Sequence, residues 1–251
     1  MNVKTASEIK EMTKVCQLAA QTLQHVGKFV KAGITTDELN TIAHDYTLTN
    51  GARPAPLDYN GFPKSICTSV NHCICHGVPD ATVLQEGDII NVDITSYKYG
   101  FHGDTSATFF VGAVSEEAKA ITDVAKNAMM KGIEAIRPMG TVGDIGFAIN
   151  KYVTRQGYSA VKEIGGHGIG RGFHEEPFVP SFGKKGKGDV LRPWGAITVE
   201  PMVNENDKAI VELDIPNSSI RYYETQDKTL SAQFEHTVLI TDDGYEILTL
   251  P

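Results

Sequence analysis

One constant shift of 107 positions lays the first half of this sequence over the second. It carries Gly33 onto Gly140, Asp37 onto Asp144 and Ile42 onto Ile149, and then Val83, Leu84, Ile90, Val92 and Asp93 onto Val190, Leu191, Ile197, Val199 and Glu200. Apolar matches alone arise easily by chance, but an acid at the same place in two apolar strands does not. The period is too long for a solenoid. The chain is therefore expected to build two helix-helix-strand halves related by a pseudo-twofold, roughly 7–110 and 115–250, with their sheets joined into one core inside a single domain spanning 1–251. Such a duplication brings acids from both halves to one centre.

The stretch from Ile89 to Phe110 shows what those acids do. Two β-branched, partly apolar runs flank a break at Lys98 to Gly100, the pattern of an antiparallel hairpin. Each run holds one out-of-place acid, Asp93 and Asp104. A two-residue loop centred on Lys98-Tyr99 sets them directly opposite, and one centred on Tyr99-Gly100 sets them diagonally, on one face in either case. A three-residue loop would separate the faces unless a bulge restored the register. Two carboxylates that close in apolar strands cannot both stay ionised without a counter-charge. Lys98, the nearest cation in sequence, sits at the hairpin tip.

Elsewhere the patterning alternates helices and strands. Apolar spacings of three and four from Ser7 to Lys31 mark an amphipathic helix, with Thr5 and Glu8 as a capping box and Gly33 as a stop. A second helix runs from Thr35 or Thr36 to Thr49, a third from Ser115 to Ile136 and a fourth from Asp144 to Gln156. Strands are expected at Ile66 to Val70, Ile197 to Val203 and Phe234 to Thr241. The fold class is thus α+β. A net charge of −8 argues against a nucleic-acid-binding surface as the main function. There is no signal peptide or membrane-spanning run, and the four cysteines form no disulfide framework, so a cytoplasmic enzyme is expected.

Glu200 and Glu235 are likewise acids in apolar strands. With Asp93 and Asp104 they carry four negative charges, which two divalent cations would balance and one would not. Carboxylate-rich ligation suits Mn²⁺, Fe²⁺ or Co²⁺ at least as well as Zn²⁺. An imidazole is available from the glycine-rich tract at 165 to 177, which holds His167 and His174; five glycines there let backbone approach a centre closely. The tract matches no H-E-x-x-H helix, and a flexible loop with solvated histidines is its plainer reading. Cys73-Ile-Cys75-His76 is one residue short of C-x-x-C and has no second pair, which argues against a zinc knuckle. His76 is read as a histidine facing substrate or as a satisfied core histidine. Lys184, Lys185 and Lys187 read as a solvated loop.

Six segments together resemble a known family: Cys-His-Gly-Val-Pro at 75–79, Asn-Val-Asp at 91–93, Gly-Phe-His-Gly-Asp-Thr-Ser at 100–106, Gly-His-Gly-Ile-Gly-Arg-Gly-Phe-His-Glu-Glu-Pro at 166–177, Glu-Pro-Met at 200–202 and Ser-Ala-Gln-Phe-Glu-His-Thr at 231–237. The chain resembles, along its length, the bacterial type I methionine aminopeptidases. That resemblance implies the pita-bread fold, a central antiparallel sheet with helices on its outer face, as one catalytic domain. It implies Asp93, Asp104, His167, Glu200 and Glu235 as ligands of two divalent metal ions (Co, Mn, Fe or Zn), with Asp104 and Glu235 bridging. It also implies catalytic roles for His76, His174 and Glu200, with Glu200 handling a proton, His174 stabilising the oxyanion and a metal-activated water attacking the first peptide carbonyl. The substrate side would comprise Tyr59, Phe62, Cys67, His76, Phe173 and His174.

The implied activity is removal of the amino-terminal methionine from peptides and nascent chains, with small second residues preferred. A proline-directed or broader aminopeptidase of the same fold, and a non-enzymatic binding protein that should have lost ligands, are the alternatives. The expected partner is a peptide amino terminus, with weak ribosome association through the 184–187 loop and with neither nucleic-acid recognition nor a membrane. Three places depart from the family pattern: Arg221 stands where a pocket tryptophan is usual, Pro56 where a pocket cysteine is usual, and Pro193-Trp194-Gly195 replaces a Pro-Gly turn, with an insertion at 211–219 nearby.

Overall fold

The computed structural model describes Asn2 and residues 4–251. Each helix begins where a side chain can satisfy its free amides. In α1 (Ala6–Gly27) the Glu8 N–H donates to the Thr5 hydroxyl while the Thr5 N–H donates back to the Glu8 carboxylate. In α2 (Thr36–Thr49) Thr35 and Glu38 repeat the arrangement. Ser115 accepts from the Ala118 N–H at the start of α3 (Glu116–Glu134). The helix α4 (Val142–Arg155) starts two residues before the expected Asp144, because Asp144 is its third residue and accepts from the N–H and hydroxyl of Thr141. The first helix stops at Gly27 rather than near Lys31; Val30 continues the apolar period from the turn beyond and still packs on the core.

The strands in chain order are β1 (Arg53–Pro54), β2 (Cys67–Val70), β3 (Cys73–Cys75), β4 (Ile89–Lys98), β5 (Phe101–Phe110), β6 (Ser159–Ala160), β7 (Gly166–Gly168), β8 (Glu175–Val179), β9 (Ala196–Val199), β10 (Met202–Asn204), β11 (Ile210–Asp214), β12 (Arg221–Thr225), β13 (Ser231–Gln233), β14 (Glu235–Ile240) and β15 (Tyr245–Ile247). A nine-stranded sheet runs β1-β4-β5-β14-β9-β7-β8, with β2 added to β4 and β15 to β14. Two smaller sheets, β13-β10-β6 and β11-β12-β3, flank it. The pairing is antiparallel throughout.

The hairpin loop is Tyr99-Gly100, with Lys98 paired to Phe101 and φ of 55° and 80° at the two loop residues, as a turn that keeps the strand twist requires. Of the two expected registers this is the diagonal one: Asp93 faces Ser106, and Thr95 faces Asp104. Alternation then sorts the hairpin's faces. Ile90, Val92 and Ile94 join the core beneath α1 and α2, whereas Asp93, Thr95 and Asp104 share the other face. Gly103 lies where α1 crosses β5, and a Cβ there would stand 2.6 Å from the Cys16 amide nitrogen. In the second half α3 and α4 cover β9 and β14 through Ile133, Ile149, Val199 and Val238.

The two halves repeat in hydrogen bonds as well as in sequence, with a slip. Val83 bridges Thr35, and Val190 bridges Thr141; Leu84 N–H donates to the Ile34 carbonyl, and Leu191 N–H to that of Gly140. The strand segment therefore keeps the shift of 107, but the helix that precedes it is displaced by 106. Thr35 corresponds to Thr141 and Glu38 to Asp144, so the sequence pairing of Asp37 with Asp144 was one residue out. At the seam of the halves β5 meets β14, Ser106 against Glu235.

The strand expected from Ile197 to Val203 is two strands. It breaks at Glu200-Pro201, where proline has no N–H for a ladder, and the pieces β9 and β10 belong to different sheets. The strand expected from Phe234 to Thr241 is present as β14, and Phe234 itself separates it from β13 of the neighbouring sheet. Glu200 and Glu235 thus each stand at a point where the chain leaves one sheet for another. Gly103→Ala is expected to lower stability by about 2 kcal/mol, the cost of overpacking a closed contact, read as a fall in the denaturation midpoint; an unchanged midpoint would show that α1 can move aside.

Candidate metal centre

Register places the acids in a row across the sheet. Asp93 faces Ser106 on β5, and Ser106 faces Glu235 on β14. Glu235 precedes His236, whose partner Val199 is followed by Glu200. Asp104 lies one step along β5 from this row, toward the hairpin tip. Two of the acids are held by neighbours. Thr95 donates to Asp104 at 2.7 Å, Thr198 to Glu200 at 2.8 Å, and the Gln233 amide to the other Glu200 oxygen at 3.1 Å. His167 enters from β7, its N–H on the Thr198 hydroxyl at 2.9 Å. The oxygens of Asp104 and Glu235 and the His167 nitrogen come within 4.8 Å of one another, and the Glu200 carboxylate is 3.6 Å from His167 Nε2.

The glycine-rich tract acts differently from expectation. Its glycines bring β7 against other strands rather than against the centre: a Cβ at Gly166 would lie 2.3 Å from the Thr198 carbonyl. His167 is left as the one side chain of that strand that reaches the acids.

Burial dominates the electrostatics. It raises the Asp93 carboxyl to about 7 and that of Glu200 to about 8. Burial, with the charges of the neighbouring acids, pushes Asp104 and Glu235 well up. His167 is depressed to about 4 by burial, so it is a neutral imidazole, and its proximity to Asp104 and Glu200 is not an ion pair. Its Nδ1 lies 2.9 Å from the Gly168 carbonyl. A carbonyl only accepts, so Nδ1 carries the proton and Nε2 turns a lone pair toward the acids, the tautomer a metal ligand needs. Asp93 Oδ1 and Glu235 Oε1 are buried with no hydrogen-bond partner among the described residues. Oxygen acceptors without donors beside an imidazole lone pair fit a divalent cation, and no lysine or arginine lines the cavity.

That cavity, about 380 Å³, gathers every site residue singled out in the sequence: the five around the acids, His76 and His174, and the apolar set Tyr59, Phe62, Cys67 and Phe173. His76 Nδ1 lies 2.9 Å from the Arg221 carbonyl, and His174 Nδ1 lies 3.0 Å from the Tyr59 hydroxyl. Burial lowers both rings, that of His174 to about 3. Pro56 lines the cavity, but Arg221 does not; its guanidinium turns out to Asp214 at 2.6 Å, and Ile220 takes the inner position. Trp194 bonds Asp242 at the surface, away from the cavity. Thr95, Asn60, Ile164 and Ile220 also line the site and were missed, whereas Gly165, the first glycine of the tract, does reach it. Period-two spacing from each acid would have found Thr95, as it would Thr198 and Gln233. Nothing in the sequence marked Ile220.

The model of metallopeptidase family M24 matches residues 10–242. Methionine aminopeptidase A of Synechocystis sp. is 51% identical, the match covering 97% of this chain and 95% of that protein. The crystal structure of methionine aminopeptidase from Rickettsia prowazekii, 43% identical, superposes with a TM-score of 0.96 over 100% of both chains. Prolidase from Pyrococcus furiosus shares the fold, with 23% identity and a TM-score of 0.78, over 99% of this chain and 65% of that one.

The titrations set a pH dependence. The raised carboxyls bind protons in the folded state that the unfolded chain has released, so their contribution is complete below about pH 4 and is lost as pH rises through 7 to 8. The depressed His167 and His174 act oppositely, losing stability as pH falls from about 6.5 toward 4 and 3. A cation competes with protons at both kinds of group. The rise in thermal midpoint on adding Mn²⁺ is therefore expected to be larger at about pH 8 than at about pH 5.5; an equal or smaller rise at the higher pH would contradict this.

Proposed function

The chain belongs to metallopeptidase family M24, and from that premise we infer that it is a methionine aminopeptidase, a metal-dependent hydrolase removing the first methionine of peptides and new proteins. One observation carries the reading: an acid cluster with one neutral imidazole, an apolar end and two further histidines share a single cavity. We assign Asp93, Asp104, His167, Glu200 and Glu235 as the ligands of two divalent ions, since four carboxylates beside no basic side chain balance two such charges. The carboxylate-rich set favours Mn²⁺, Fe²⁺ or Co²⁺ no less than Zn²⁺. Bound there, the ions would supply Lewis-acid polarisation and acidify a water.

The chain's own groups divide the remaining work. The Arg221 carbonyl makes His76 Nδ1 a donor, which leaves Nε2 as an acceptor for a substrate N–H. If the Tyr59 hydroxyl donates to His174 Nδ1, Nε2 carries the proton and points a neutral donor at a developing oxyanion. Glu200, gripped by Thr198 and Gln233, is placed to take and return a proton. Phe62, Cys67 and Ile220 give the first side chain an apolar seat suited to a thioether. Acids from both repeats are needed, which supports treating 1–251 as one catalytic domain. Four unpaired thiols suit a reducing cytoplasm, and no helix among the described residues is long and apolar enough to cross a membrane.

We also place a ribosome contact at the 184–187 loop. Lys185 lines a groove of about 680 Å³ with Lys131, Arg137, Lys151 and Arg155, a cationic face on an acidic chain.

Protein loaded with Mn²⁺ or Co²⁺ is expected to release methionine, and nothing further, from Met-Ala and Met-Gly peptides; failure to do so, or faster cleavage before proline than after methionine, would overturn the assignment. Neutralising Lys184, Lys185 and Lys187 should weaken salt-sensitive co-sedimentation with ribosomes. Unchanged sedimentation would remove that contact.

A further inference from the structure

Beyond the acids, toward its tip, the inner face of the β4–β5 hairpin carries aromatic rings. Tyr97 pairs with His102 across the strands, ring centres 4.7 Å apart, and the Arg53 guanidinium stands 4.5 Å over Tyr97. His102 is 9% exposed and does not line the cavity. Its backbone N–H and its Nδ1–H both donate to the Gly170 carbonyl, at 2.8 and 3.2 Å. Its ring lies 5.4 Å from that of Phe173 at 14°, and Phe173 lies 4.4 Å from His174 at 17°. Three rings thus stand nearly parallel, from a rigid strand to an exposed turn.

The base of that turn is pinned by the Gly170 N–H on the Gly172 carbonyl, the Gly172 N–H on Glu175 Oε1 and the Arg171–Glu8 ion pair, but none of these holds the rings of Phe173 and His174. On the cavity side the His174 ring has the Tyr59 hydroxyl and the His167 ring, 4.3 Å away. On the strand side it has Phe173, whose ring meets both that of His102 and that of Tyr59, the latter 4.8 Å away.

We propose that His102 is a positioning residue for the hydrolytic step: through Phe173 it fixes the plane of the His174 imidazole. This rests on the reading of His174 as a group that meets the substrate. Stacked rings favour a narrow range of mutual orientations, and a reacting group displaced by even about 1 Å loses much of its effect. A leucine at 102 keeps the backbone bond to Gly170 and the bulk but loses the stack, whereas a phenylalanine keeps the stack.

The test uses the metal-loaded full chain and a methionyl peptide. His102→Leu is expected to lower kcat about tenfold, with KM and metal affinity within about twofold of wild type, and His102→Phe to restore kcat to within about twofold. Phe173→Leu, on the surface turn, should reproduce the loss, and the double variant His102→Leu with Phe173→Leu should be no worse than Phe173→Leu alone. Wild-type kcat in His102→Leu, equal impairment in His102→Phe, or metal affinity falling in step with kcat would overturn the proposal. If His102→Leu does not fold, wild-type kcat in Phe173→Leu does the same. His174→Ala separates the two levels: unchanged kcat there sinks the role of His174 itself, whereas a loss there without one in His102→Leu sinks only the positioning.

Discussion

Four carboxylates buried together with no lysine or arginine facing them are the constraint on which this structure turns. Removing an ionised carboxylate from water costs several kcal/mol even after relaxation, and here the neighbouring charges raise the proton affinity of Asp104 and Glu235 further. The cluster is tolerable in two states, with protons or with cations. Asp93 Oδ1 and Glu235 Oε1, buried without donors, mark the second state as the one the site is shaped for.

The scaffold meets that constraint by spending its most rigid part on it. β4, β5, β14 and β9 lie side by side at the centre of the nine-stranded sheet, and their register, rather than any loop, sets the spacing of the acids. Helices on the opposite face close the core against the strands, so tightly at Gly103 that a methyl group has no room. Irregular backbone borders the other end of the cavity, where the turns carrying Tyr59 and His174 hold one another by a hydrogen bond. The neutral imidazole of His167 and the acids come from strands or their ends; the histidines proposed to meet substrate come from outside the strands and bond to a backbone carbonyl and a phenol.

Much of this was legible in the residues. An acid in a β-branched run is conspicuous because solvation energy forbids it without a purpose, so Asp93, Asp104, Glu200 and Glu235 stood out individually, and the repeat tied them together. The capping boxes at Thr5 and Thr35 were legible because they are local. What failed was set by distance or by backbone geometry. The helices slipped one residue against the strands because the shift was assumed constant across a loop of altered length. Pro201 was passed over inside an apolar run although it breaks the strand. Ile220 for Arg221 could not be read, since which of two consecutive residues faces inward depends on how β12 pairs with β3. The glycines at 166 and 168 were correctly read as close approaches, but to neighbouring strands.

The central claim is that the centre holds protons until a divalent cation displaces them. Calorimetric titration of the metal-free chain with Mn²⁺ near neutral pH, in two buffers of different ionisation enthalpy, measures the protons exchanged on binding. Saturation at two ions per chain with net proton release is the predicted result. Binding without proton release, or saturation at fewer than two ions per chain, would contradict it.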